Sequence, residues 1–79
     1  MDYKEFGEKI ATLRKEKKIS QQTLATDLGI SRATISSFEN GNGVDIGLRK
    51  VIQIIDYLGY KFDLKEKSMF PVFEDLVNG

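Results

Sequence analysis

Cysteine and histidine are both missing from this 79-residue chain. Without them no disulfide can staple the fold, and no structural metal site built on those residues can do so either. The same gap removes Cys/His dyads and Ser-His-Asp triads from the available chemistry. The remaining acids are poorly placed for proton transfer. Asp2 with Glu5 reads as a helix cap and Glu74-Asp75 as a solvated pair, and neither has a setting that buries a carboxyl. Gly41-Asn42-Gly43 lacks the following G-K-[ST] and the strand-to-helix setting of a phosphate loop. The expectation is a protein with no catalytic residue, no metal and no cofactor. Long apolar runs are absent as well, and Met1-Asp2-Tyr3-Lys4-Glu5 is polar, so neither a membrane span nor a secretory signal is expected and the cytoplasm is the expected compartment.

Net charge is the last thing in short supply: 12 basic and 12 acidic side chains cancel, which argues against a nonspecific polyanion binder. The charges are unevenly spread, with residues 1–18 at +2, 19–43 at −1, 44–64 at zero and 65–79 at −1. The clearest positive run, Arg14-Lys15-Glu16-Lys17-Lys18, suits the C-terminal end of a helix, whose dipole favours cations. A chain of this length supports one modest core, so stability must come from close helix packing or from oligomerisation.

Periodicity supplies the elements. Asp2 and Glu5 form a capping-box variant, after which Tyr3, Phe6, Ile10 and Leu13 recur at spacings of three and four, which predicts helix 1 as far as Lys17. Ser20 caps a short helix 2 over Gln21–Leu28, with Leu24 and Leu28 on one face and Gly29 as its left-handed stop. Ser31 caps helix 3 two residues later, from Arg32 to Asn40, with Ile35 and Phe38 inward and Gly41 at its end. Residues 41–47 read as a loop. Helix 4 follows, with Leu48, Val51, Ile52, Ile55 and Leu58 on a 3.6-residue period; Ile54 and Tyr57 broaden that face beyond the needs of one intramolecular core. After Gly59 the period becomes two, with Tyr60, Phe62 and Leu64 on one side and Lys61, Asp63 and Lys65 on the other. A strand over Tyr60–Lys65 has no partner in the chain, so pairing with the same segment of a second copy is expected. The tail Met69-Phe70-Pro71-Val72-Phe73 is apolar again, and Glu74-Asp75-Leu76-Val77 could add a last helical turn. Residues 1–59 thus form the expected helix-turn-helix portion, and 60–79 a dimerisation strand and apolar tail of the same domain.

Two short helices joined through Gly29-Ile30-Ser31 meet the demand of a helix-turn-helix, in which the first helix crosses the DNA backbone and the second enters the major groove. Helix 3 divides its residues accordingly: Arg32, Ala33, Thr34, Ser36 and Ser37 outward, Ile35 and Phe38 inward. At Ser20-Gln21-Gln22-Thr23-Leu24-Ala25-Thr26-Asp27-Leu28-Gly29-Ile30-Ser31-Arg32-Ala33-Thr34-Ile35-Ser36-Ser37-Phe38-Glu39-Asn40-Gly41 the chain resembles the Cro/phage-repressor helix-turn-helix family, and the likeness covers about residues 6–58. It implies a mainly α fold: a repressor-like bundle of four to five helices, here with a C-terminal β-strand pairing across a homodimer. The DNA-reading helix would be Ser31–Asn40. By the same resemblance Arg32, Ala33 and Ser37 face base edges, Gln21, Thr34, Ser36 and Asn40 lie at the DNA backbone, and Arg14 pairs with Glu39 to orient helix 3. Arg32 is the strongest candidate for direct readout, because a guanidinium can bond both O6 and N7 of guanine. Tyr60, Phe62 and Leu64 are the expected dimerisation residues.

The implied partner is double-stranded DNA with a palindromic operator, read by a homodimer, with no membrane partner. A strand after helix 4 is also a feature of the antitoxins of HipA-type kinase toxins, to which the chain is similar in architecture. Three functions therefore stay open: an antitoxin and autoregulator with a HipA-like toxin partner, a stand-alone phage or restriction-modification repressor, and a protein-interaction adaptor without DNA binding.

Overall fold

The computed structural model describes residues 1–42 and 44–67. The expectations placed on the apolar tail, Met69 to Val77, lie outside the described residues.

Four helices follow one another: α1 (Tyr3–Glu16), α2 (Gln21–Leu28), α3 (Arg32–Asn40) and α4 (Leu48–Tyr57). The first three start at side-chain caps in the expected positions, while α4 follows Gly47 without one. Asp2 Oδ1 accepts the Glu5 N–H at 2.8 Å, Ser20 Oγ the Thr23 N–H at 3.0 Å, and Ser31 Oγ the Thr34 N–H at 3.0 Å. Each bond satisfies a backbone donor that has no partner within its own helix. Gly29 ends α2 at φ 66°, a left-handed backbone that carries no steric cost without a Cβ, and the Ile30 N–H returns to the Ala25 carbonyl at 3.0 Å. The chain thereby reverses within three residues, and α3 starts against α2.

Helix α1 ends within one residue of the expected Lys17, but by a turn that the sequence did not signal. Lys18 takes φ 58°, while the Lys18 N–H bonds the Lys15 carbonyl (2.9 Å) and the Ile19 N–H the Arg14 carbonyl (3.2 Å). This is a Schellman ending with lysine where glycine is usual, so composition carried no signal for it.

The core gathers Ile10 of α1, Leu24 of α2, Ile35 and Phe38 of α3, and Ile54 and Leu58 of α4. Phe38 and Ile35 are completely covered, as the inward face of α3 required. Tyr3 tilts over Phe38 with ring centroids 5.4 Å apart, and its hydroxyl accepts the Ile46 N–H at 2.9 Å, which ties the loop before α4 to the start of α1.

In α4 the apolar surplus differs from the expectation. Ile54 is fully buried, whereas Leu48 and Ile52 are exposed. At about 100° per residue, Val51, Ile54, Ile55 and Leu58 fall on one arc, and Leu48 and Ile52 form an i, i+4 stripe on its flank. Tyr57 is half-buried, and its hydroxyl donates to Asp27 Oδ2 at 2.5 Å, pinning α4 to α2.

Residues 60–67 form no ladder among the described residues. A single strand has nothing in its own chain to bond with, so the alternation of Tyr60, Phe62 and Leu64 leaves them on the surface. The Tyr60 N–H bonds the Ile55 carbonyl at 3.0 Å, and the Phe62 ring meets Phe6 edge-on at 6.3 Å. With Leu48 and Ile52 these side chains border a groove of about 530 Å³.

Candidate nucleic-acid interface

Helix α3 presents a continuous polar surface opposite its buried side. Arg32 and Ala33, in its first turn, are exposed, and Thr34, Ser36 and Ser37 are half-buried. The local cause is helical spacing: Ile35 and Phe38 sit three apart on the inward face, which turns positions 33 and 37 outward, one above the other. Ala33 and Ser37 border one shallow groove together with Thr34. Arg32, Ala33 and Ser37, the three residues assigned to base edges, are thus all accessible on α3, and Asp45 and Lys50 border the groove beside Ala33 and Ser37.

The residues assigned to the DNA backbone are partly engaged with one another. Thr34 Oγ1 lies 2.7 Å from Ser31 Oγ, and Asn40 Nδ2 donates to Ser36 Oγ at 3.2 Å across one helical turn. Gln21 is half-buried at the start of α2, and its Nε2 donates to Glu39 Oε1 at 3.0 Å. One of its two amide hydrogens thus faces the interior, leaving the other and the amide oxygen for an external partner. The resemblance carried no hint of that inward bond.

Arg14 and Glu39 meet as the resemblance implied, in a fork: Nε to Oε2 at 2.7 Å and Nη2 to Oε1 at 2.8 Å. Arg14 Nη1 also donates to the Ile19 carbonyl at 2.7 Å. Both residues are buried, at 7% and 6% exposure, which sets this pair apart from a solvated surface contact. Hydrogen bonding to Glu39 raises the Arg14 pKa against the lowering effect of burial, so the guanidinium stays charged. Among the described residues no buried side-chain nitrogen or oxygen lacks a partner. The network locks α1, α2 and α3 together behind the polar surface of α3 and consumes the one acidic charge of that helix.

Sequence reasoning missed Gly7. In α1 it lies directly against α3, and a Cβ built on it would come within 2.0 Å of the Phe38 carbonyl oxygen. The available signal was a lone glycine inside an otherwise helical pattern, where it costs about 1 kcal/mol relative to alanine and so asks for a reason.

Among the described residues no cluster of acidic side chains suited to a metal ion occurs, and no helix is long and apolar enough to cross a membrane. Tyr60, Phe62 and Leu64 lie beside α4 and belong to the apolar groove, not to the polar surface of α3.

Comparison with known proteins agrees with this geometry. A helix-turn-helix family model matches residues 10–65. An uncharacterized HTH-type transcriptional regulator of Bacillus subtilis (strain 168), YqaE, is 35% identical over 72 residues, which cover 89% of this chain and 61% of the relative. The chain thus spans about three fifths of that relative's length. No solved structure gives a significant match. With its capped α2–Gly29–α3 corner, its buried Arg14–Glu39 fork and a family match over most of its length, the chain belongs to the helix-turn-helix family of the Cro/phage-repressor type.

Proposed function

We propose that this protein is a sequence-specific DNA-binding transcriptional repressor that acts by binding, without catalysis, and recognises a palindromic operator as a homodimer. The observation that carries this reading is the open polar surface of α3, with Arg32, Ala33 and Ser37 accessible on a helix braced from behind by a buried ion pair. Arg32 supplies direct readout of a guanine, while Gln21, Thr34, Ser36 and Asn40 position the helix through the DNA backbone. Paired reading helices place half-sites about one helical turn apart.

Two substitutions test this division of labour. Arg32→Ala is expected to relax base preference at one position per half-site at a cost of about 1–3 kcal/mol, and Gln21→Ala to weaken all sequences about equally. Binding measured against single-base operator variants distinguishes them. Equal profiles for the two proteins would reject the assignment, and a footprint without dyad symmetry would reject the homodimer.

A second copy pairing along residues 60–65 is supported by the unpartnered alternation of Tyr60, Phe62 and Leu64 and by exposed Leu48 and Ile52 beside them. Removal of residues 60–79 is expected to yield a weak monomer with sharply reduced operator affinity. Sedimentation of the shortened protein as an unchanged dimer would exclude the strand from that role. A finer reading is the antitoxin and autoregulator of a toxin-antitoxin operon, with a HipA-like kinase toxin bound through another surface or the tail. Copurification of such a kinase from the native host is the expected result, and recovery with DNA alone would favour the stand-alone regulator.

A further inference from the structure

We propose that the crevice between the start of α1, the loop before α4 and Phe62 binds a lipophilic organic cation, a bulky apolar molecule carrying one permanent positive charge. This site is separate from the polar surface of α3 and does not depend on DNA binding. Its volume is about 360 Å³, within the range of about 300–1,000 Å³ usual for small-molecule pockets. Buried Val51 of α4 and half-buried Phe6 of α1 border its inner side, while Tyr3, Leu48 and Phe62 stand around it with apolar surface exposed. The Tyr3 hydroxyl, bonded to the Ile46 N–H at 2.9 Å, ties the loop to α1, so two of the three segments are already held together.

Charge decides which ligand suits this crevice. Among the described residues the only charged side chains that border it are Asp2 and Asp45. Each is anchored through one oxygen: Asp2 Oδ1 accepts the Glu5 N–H and Asp45 Oδ1 the Gly47 N–H, both at 2.8 Å. The second oxygen of each is left for a ligand. The one salt bridge among the described residues is Arg14–Glu39, so no side-chain cation neutralises either carboxylate. Met1 also borders the crevice, and its amino group offsets only one of the two negative charges. The rings of Tyr3, Phe6 and Phe62 act in the same direction, with Phe6 and Phe62 meeting edge-on at 6.3 Å. A cation is attracted both to carboxylates and to aromatic faces, an anion is repelled by both, and a small hydrated ion gains nothing from the apolar walls.

The probe is tetraphenylphosphonium, with tetraphenylborate as an anion of the same shape, each titrated into the full chain and followed by amide chemical shifts. Saturable binding of the cation is expected, with shifts centred on residues 2–6, 45–51 and 62, and with tetraphenylborate weaker by about tenfold or more. Asp2→Asn and Asp45→Asn keep the two backbone bonds through the amide oxygen and remove one charge apiece. Each is expected to weaken the cation about threefold while the midpoint of unfolding stays near wild type. Phe62→Leu keeps the apolar wall but loses the ring, and is expected to weaken the cation about twofold. Absence of saturable binding, equal affinity for the two ions, shifts centred on other residues, or Asn variants that bind as wild type would each overturn the proposal. Binding seen only in protein dilute enough to be monomeric would overturn it too, since a second copy would then be the occupant. Operator binding is left intact by all of these outcomes and is tested separately by the Arg32 and Gln21 variants.

Discussion

Replacement of Gly7 by alanine is expected to destabilise the protein by about 2 kcal/mol or more, although alanine is the better helix former. Two effects oppose each other. Helix propensity favours alanine by about 1 kcal/mol in a helix interior. Against it, the added methyl would lie 2.0 Å from the Phe38 carbonyl oxygen and 3.0 Å from its carbonyl carbon. Those are backbone atoms, so the methyl can be housed only if α1 and α3 move apart, and overpacking of this kind costs about 1–3 kcal/mol and sometimes more. For a domain of this size total stability is on the order of 4–12 kcal/mol, so the loss is a substantial fraction of the whole. Urea unfolding provides the measurement: a lowered midpoint at unchanged slope is expected, and a midpoint equal to or above wild type would show that α1 and α3 are not in contact there. Because that separation disturbs the seat of α3, operator affinity should fall even where the protein remains folded.

The second large effect belongs to the buried fork. Arg14→Met removes three donors at once and leaves the Glu39 carboxylate, 6% exposed, with only the Gln21 amide. A buried ion whose partner is deleted costs about 3–5 kcal/mol, since its desolvation is no longer offset. Adding Glu39→Leu removes the uncompensated charge and is expected to recover at least half of that loss. The double-mutant cycle decides the issue by equilibrium unfolding. A double variant as unstable as the sum of its two singles would mean that the pair contributes packing alone. The recovered stability need not restore binding: without the fork, α1, α2 and α3 lose the link that sets the attitude of α3, so DNA affinity should remain low in the double variant. Stability and affinity would then separate, which distinguishes an orienting pair from a merely structural one.

The three capped helix starts, the left-handed stops at Gly29 and Gly41, and the inward pair Ile35 and Phe38 were all legible in the chain. So was the polar run on α3 that carries Arg32, Ala33 and Ser37. Each depends on residues within about four positions of one another, the range over which a helix brings side chains together. The Arg14–Glu39 pair lies outside that range and was reached only through resemblance to a family. The surplus face of α4 was misjudged because apolar content does not say which arc the other helices cover. Ile54 went to the core, and Leu48 and Ile52 to the surface.

Local chemistry along the chain was enough to set where helices begin, where they stop and which side of α3 is polar, because hydrogen-bonding caps, glycine's freedom and helical spacing act between near neighbours. Packing alone decided that α1 crosses α3 at Gly7, that Gln21 turns one amide hydrogen toward Glu39, and that Lys50 shares a groove with Ala33 and Ser37. Those contacts join residues far apart in the chain, and their geometry exists only once the helices have met.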